Sequence, residues 1–127
     1  MPRNAISPKD MFAAGPYSHG VRTGNLVFLS GKTGTDGAGK LAGPGISEQT
    51  RQTFANLKVV LEAAGLSFGH VVKCNVYLTD MADFAAMNAV YAEHFEAPNP
   101  ARTTVAVAAL PGGAKVEIEM VAEGKNG

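Results

Sequence analysis

The sequence predicts an α+β sandwich, a mostly antiparallel sheet with two helices on one face. Short apolar runs bounded by turn residues recur at 26–30, 71–78, 103–110 and 115–122, and each has the length of a strand. Two intervening stretches instead carry apolar residues at helical spacing. The resulting order is strand, strand, helix, strand, helix, strand, strand, and in such an order the helices form a second layer over the sheet. The 127 residues suffice for one sizeable core and are read as a single domain, 1–127.

Gly24-Asn25 separates two strand-like runs, of which Leu26-Val27-Phe28-Leu29-Ser30 is the clearer. Residues 31–45 hold six glycines and Pro44, so they read as a turn-rich connection. In the first helix Ser47 is the expected cap and Glu48 suits the positive N-terminal end. Phe54, Leu57, Leu61 and Ala64 recur on one face before Gly65 closes the helix. The run Val71-Val72-Lys73-Cys74-Asn75-Val76-Tyr77-Leu78 alternates, with Val72, Cys74, Val76 and Leu78 expected inward and Cys74 as buried filler.

Asp80 and Asp83 open the second helix, whose apolar stripe is Phe84, Met87, Tyr91 and Phe95. Asn88 lies on that stripe, and Pro98 and Pro100 end the helix. Leu110-Pro111-Gly112-Gly113 then turns the strand that begins at Arg102 into the last one, 115–122. That last strand gives Val116, Ile118 and Met120 to one side and Glu117, Glu119 and Val121 to the other.

Eleven Lys and Arg balance eleven Asp and Glu, so no diffuse positive field invites nucleic acid or anionic lipid. Charged residues are 17% against 46% hydrophobic, a thin polar coat that implies surface buried between subunits. The chain reads as cytoplasmic. It has one cysteine, no secretory apolar stretch at its N-terminus, and no apolar segment long enough to span a membrane. No metal is expected, because His19, His70, His94 and Cys74 lack ligand spacing. Ser18 and Ser30 lack a nucleophile-elbow or triad signature.

Arg102 is the only charged residue between Glu96 and Lys115. A guanidinium at a strand's start, with no charged neighbour, needs a carboxylate or a ring of acceptors from the protein or from a ligand. Its fork of donors matches a carboxylate in a bidentate pair, which makes an anionic small molecule the first candidate. If the last two strands form a hairpin in which Leu110 faces Lys115, Ala108 faces Glu117 and Arg102 lies about 20 Å from that glutamate. A site using both residues is then assembled across a subunit boundary.

The motifs Gly15-Pro16-Tyr17-Ser18-His19-Gly20, Ser30-Gly31-Lys32, Asn88, Pro100-Ala101-Arg102-Thr103, Leu110-Pro111 and Val116-Glu117-Ile118-Glu119 occur in order. Between them stand Gln49-Thr50-Arg51-Gln52, Asn56-Leu57, Glu62-Ala63-Ala64-Gly65, Val71-Val72-Lys73 and Tyr77-Leu78-Thr79-Asp80. Together they resemble the RidA (YjgF, L-PSP) family of imine deaminases over essentially the whole chain.

The resemblance implies a chorismate-mutase-like homotrimer with clefts between subunits and with neither cofactor nor metal. It implies hydrolysis of 2-imino acids such as 2-iminobutanoate and 2-iminopropanoate, or their enamines, released by pyridoxal-phosphate enzymes, to 2-oxo acids and ammonia. By that analogy Arg102 grips the substrate carboxylate, Glu117 handles the attacking water and Tyr17 is the site tyrosine. Ser30 and Gly31 form the cleft wall, Asn88 and Pro111 join the binding site, and the backbone carbonyl of Thr104 faces the imine nitrogen. Glu119 reads as a solvated or structural partner.

Three positions depart from the common pattern, with His19 and Lys32 each in place of a glutamine and Thr104 in place of a cysteine. These substitutions bear on substrate preference. His19 reads as a pocket-tuning or, more simply, a turn-capping residue. Two other functions stay open, a non-enzymatic binder or sensor of 2-oxo acids and an RNA-cleaving translation inhibitor, the latter disfavoured by the neutral charge.

Overall fold

The computed structural model describes residues 3–125. Its elements are β1 (Asn4–Ile6), β2 (Gly20–Thr23), β3 (Leu26–Thr33), α1 (Ile46–Ala63), β4 (Val71–Leu78), α2 (Phe84–Ala92), β5 (Ala101–Ala106) and β6 (Val116–Glu123). Short 3-10 turns occupy Phe68–His70, Met81–Asp83 and Pro111–Gly113. The six strands form one sheet in the order β1-β2-β3-β6-β4-β5. All neighbours are antiparallel except β4 and β5, which run parallel. Both helices lie on one face, where α1 packs on β3, β6 and α2, so the sandwich expected from the sequence is the one observed.

Helix α1 begins at Gly45 rather than at Ser47. Gly45 is the extended N-cap, and the Glu48 carboxylate reaches back to accept from its N–H at 3.1 Å. Ser47 falls inside the first turn because the backbone entering from Pro44 is already extended at Gly45. The other end closes as expected: Gly65 N–H donates to the Glu62 carbonyl and Leu66 N–H to that of Leu61, with Gly65 at φ 76°. Phe54, Leu57 and Leu61 are fully buried, and each contributes roughly 1.5–3 kcal/mol by leaving water.

Three further expectations need correction. First, β1 precedes the runs read from the sequence, since a strand of three residues carries too little alternation to be recognised. Second, Val72 is exposed and Val71 buried, because an irregularity between Val71 and Lys73 shifts the pairing of β4 with β6. Third, β5 and β6 form no hairpin. After the 3-10 turn at Pro111–Gly113, β6 inserts between β3 and β4, and β5 pairs with β4 in parallel with Cys74 opposite Arg102. The intervening α2 supplies the crossover that a parallel pair needs.

Strand β6 is therefore central, with Val116, Ile118, Met120 and Ala122 buried beneath the helices. Phe28, Tyr77, Val105 and Val121 share the opposite, open face in register, and Phe28 and Val105 are exposed. Among the described residues no helix is long and apolar enough to cross a membrane.

Candidate functional site

Arg102 and Glu117 stand on opposite faces of the sheet. Arg102 pairs with Cys74, whose side chain is buried on the helix side, while Glu117 pairs with Tyr77 and shares its open side. The two therefore do not meet within one chain, although the reason is the central insertion of β6 and not the length of a hairpin. Each lines its own recess.

The first recess, of about 580 Å³, follows the border of β3 and β6 beneath the N-terminal loop. Tyr17, Ser30, Gly31, Lys32, Pro111 and Glu117 line it. Strand β3 carries one residue more than β6 here: Leu29 pairs with Met120 and Lys32 with Ile118, and the irregularity falls at Ser30-Gly31. Ser30 Oγ donates to the Ser18 carbonyl at 2.6 Å, and Ser30 N–H to that of His19 at 2.9 Å, so the bulge staples the loop to the strand. A Cβ on Gly31 would overlap the Glu117 carboxylate, so the glycine makes room for that group. Burial, with the nearby Glu119 carboxylate, pushes the Glu117 carboxyl above its ordinary range, and Lys32 opposes the rise. Glu119 accepts a hydrogen bond from the Tyr77 hydroxyl, the structural partnership expected of it.

The second recess, of about 350 Å³, lies between α2 and the start of β5 and is lined by Asn88, Tyr91, Ala92, Asn99, Pro100 and Arg102. Arg102 Nη1 donates to Asn88 Oδ1 at 2.7 Å. Its guanidinium carbon sits 4.7 Å from the centre of the Tyr91 ring and 5.6 Å from that of Phe84. Residues 84, 88 and 91 follow one side of α2, so a single helical stripe cradles the cation from below. No carboxylate among the described residues is within ion-pair distance of Arg102; the ion pair found there is Arg51 with Glu93. Thr104, two residues along β5 on the same face, has a buried Oγ1 without a hydrogen-bond partner.

The residues named from the sequence thus fall into two groups, with Tyr17, Ser30, Gly31, Pro111 and Glu117 in one recess and Asn88 and Arg102 in the other beside Thr104. Two residues have contacts beyond the roles read from the sequence. Tyr91, part of the apolar core stripe, also carries the guanidinium. His19 caps no turn: it is buried, its Nδ1 accepts from Lys32 Nζ, and its Nε2 contacts the Met11 carbonyl at 3.3 Å. The usable signal is a histidine and a lysine at positions of departure in two successive motifs. Among the described residues no three His, Cys, Asp or Glu side chains gather as a metal site would require.

A family model described as Endoribonuclease L-PSP matches residues 8–124. The chain is 43% identical over 111 residues to a Mus musculus protein named 2-iminobutanoate/2-iminopropanoate deaminase, covering 87% of this chain and 82% of that protein. It is 46% identical over 111 residues to Reactive Intermediate Deaminase A, chloroplastic, of Arabidopsis thaliana, covering 87% of this chain and spanning 59% of that protein's length. The crystal structure of RidA from an Antarctic Psychrobacter superimposes with a TM-score of 0.89 at 43% identity, over 94% of this chain and 99% of that one. With the match running from the N-terminal loop through β6, and with the same sandwich in the solved relative, the chain belongs to the RidA (YjgF, L-PSP) family.

Proposed function

We propose that the protein is an imine deaminase that hydrolyses 2-imino acids, or their enamine tautomers, to 2-oxo acids and ammonia, with 2-iminobutanoate and 2-iminopropanoate as substrates. One observation carries this reading: Arg102 is a half-buried cation held by an amide and two aromatic rings, with no carboxylate of its own among the described residues. A substrate carboxylate supplies the missing partner as a bidentate pair. Because the Glu117 recess lies on the other sheet face, the working site joins Arg102 of one copy to Glu117 of another, and a homotrimer closes three such clefts. The exposed apolar side chains of the open sheet face, Phe28 and Val105, support that assembly.

The chemistry asks little beyond positioning, because a protonated imine is already electrophilic. Glu117 accepts a proton from water as the oxygen bonds to the imine carbon. The proton then passes to nitrogen, and as the carbon–nitrogen bond breaks the hydroxyl proton goes to Glu117, so that ammonia leaves and the 2-oxo acid remains on Arg102. Tyr17, Ser30, Gly31 and Pro111 shape the cleft, Asn88 orients the guanidinium, and the Thr104 carbonyl receives the imine N–H.

A threonine dehydratase supplying 2-iminobutanoate, coupled to detection of 2-oxobutanoate, tests the reading. Arg102→Ala is expected to lose on the order of 2–5 kcal/mol of transition-state stabilisation, about thirty-fold to several-thousand-fold in rate. Parent-like acceleration by that variant would overturn the assignment. An RNA-cleaving role has no support in the charge, eleven basic against eleven acidic residues.

A further inference from the structure

Lys32 is 7% exposed and stands on the helix side of the sheet, opposite the buried Ile118 of β6. No carboxylate among the described residues lies within ion-pair distance of it. Its Nζ donates instead to His19 Nδ1. The other side of the ring fixes that nitrogen as an acceptor. The Met11 carbonyl can only accept, so Nε2 carries the imidazole proton and Nδ1 keeps its lone pair for Lys32. The Tyr17 ring meets the imidazole edge-on at 5.9 Å and lies 5.6 Å from Nζ, packing the pair from the loop side.

The same lysine forms part of the wall of a third hollow, of about 200 Å³, between the N-terminal loop and α1. Met11 and Phe12 from the loop and Val59 from α1 give it apolar surface. The amine there is removed from water, has no anion to hold its proton, and touches a neutral base. Each of these favours the free amine over the ammonium. Burial brings the Lys32 ammonium down to about 8, against the opposing field of Glu117. A desolvated lysine of this kind is a nucleophile toward carbonyl groups. With Lys32 neutral, the charged side chains left at the hollow are Lys9, Asp10 and Asp36, a net negative set that disfavours a carboxylate. The apolar wall favours a hydrocarbon chain.

We propose that Lys32, with His19 as its proton acceptor, captures small uncharged aldehydes as a Schiff base in this hollow. His19 Nδ1 takes one proton from the ammonium, and the freed Nζ lone pair bonds to the carbonyl carbon as the carbonyl π pair moves to oxygen. A second Nζ proton passes to that oxygen. The carbon–oxygen bond then breaks, the imidazolium proton joins the departing hydroxide, and water leaves. The iminium on Lys32 keeps the third proton, and His19 is neutral again. Neither Arg102 nor Glu117 takes part, so the capture stands or falls apart from the deaminase reading.

Reductive trapping tests this: the full chain is incubated with butanal and cyanoborohydride at neutral pH, and peptide mass mapping follows alkylation at each lysine. Lys32 is expected to react at least about ten-fold faster than Lys58, an exposed lysine of α1. At pH 7 about one Lys32 in ten is a free amine, against about one in three thousand for an ordinary lysine. Trapping at Lys32 no faster than at Lys58 overturns the proposal. His19→Gln keeps an acceptor beside Nζ but takes up no proton, and it is expected to slow trapping at Lys32 by about ten-fold or more while leaving Lys58 unchanged. Equal trapping in a folded His19→Gln overturns the role of the imidazole. Should that variant not fold, the comparison of Lys32 with Lys58 in the parent decides alone. Glyoxylate, an aldehyde bearing a carboxylate, is expected to favour Lys32 over Lys58 less than butanal does, and an equal or greater preference overturns the choice of an uncharged substrate.

Discussion

Arg102 Nη1 on β5 donates to Asn88 Oδ1 on α2 at 2.7 Å, a charged donor held by a neutral acceptor. The amide orients the guanidinium without neutralising it, which leaves the charge for a ligand. Asn88→Ala is expected to raise KM and lower kcat/KM by about ten- to a hundred-and-fifty-fold, the worth of a hydrogen bond to a charged group. Asn88→Asp is expected to bind 2-oxobutanoate more weakly still, because the new carboxylate occupies Arg102 itself. Isothermal titration with 2-oxobutanoate checks the order of the two variants.

Tyr91 serves through its ring. Its hydroxyl is buried without a hydrogen-bond partner, while the ring packs against Phe54 and Phe95 and underlies Arg102. Tyr91→Phe is expected to change stability by less than about 1 kcal/mol in either direction, since nothing is left unpaired. Tyr91→Leu loses aromatic contact and the cation's support together, and is expected to cost about 2–3 kcal/mol of stability and to raise KM. Thermal unfolding and steady-state kinetics on the two variants separate ring from hydroxyl.

Gly31 is required by the Glu117 carboxylate and not by its own backbone torsions, since it is absent from the positive-φ glycines. Gly31→Ala is expected to displace that carboxylate and reduce kcat/KM on the order of ten-fold or more while shifting unfolding by less than about 1 kcal/mol. A variant with a parent-like rate would detach the glycine from the chemistry.

Lys32 costs the fold stability at neutral pH. Its folded pKa of about 8 lies below its ordinary 10.5, so the folded state holds fewer protons than the unfolded state between those values. Stability from this residue therefore rises as pH climbs from about 8 to 10.5, and the full cost is present at pH 7. Lys32→Met is expected to be more stable than the parent at pH 7 by on the order of 2 kcal/mol, with the advantage fading near pH 10. Urea unfolding at both pH values reads the difference.

The parts of the fold legible in the sequence were those with local periodicity. Helix α1 announces itself through Phe54, Leu57 and Leu61, and β6 through the alternation of Val116, Ile118 and Met120 with Glu117 and Glu119. Strand order was not legible, because the Pro-Gly-Gly segment after Leu110 looks like a hairpin turn whichever strands flank it. What sends β6 between β3 and β4 is its fully buried inner side, against β5, where no residue is buried and which suits an edge. The separation of Arg102 from Glu117 is read from the sequence through a hairpin that does not form, whereas in the fold it comes from their standing on opposite faces of the sheet. The burial of Lys32 was hidden because residues 29 and 32 share a face only when an extra residue intervenes, and strict alternation does not foresee that.

That extra residue at Ser30-Gly31 makes the chemistry separable from the architecture. Excising either one would leave Leu29 opposite Met120 and Lys32 opposite Ile118, the pairings the sheet already has, while erasing the indentation that admits Glu117. A shortened descendant would keep its shape and lose its trade, so within this scaffold inactive siblings lie a single deletion away.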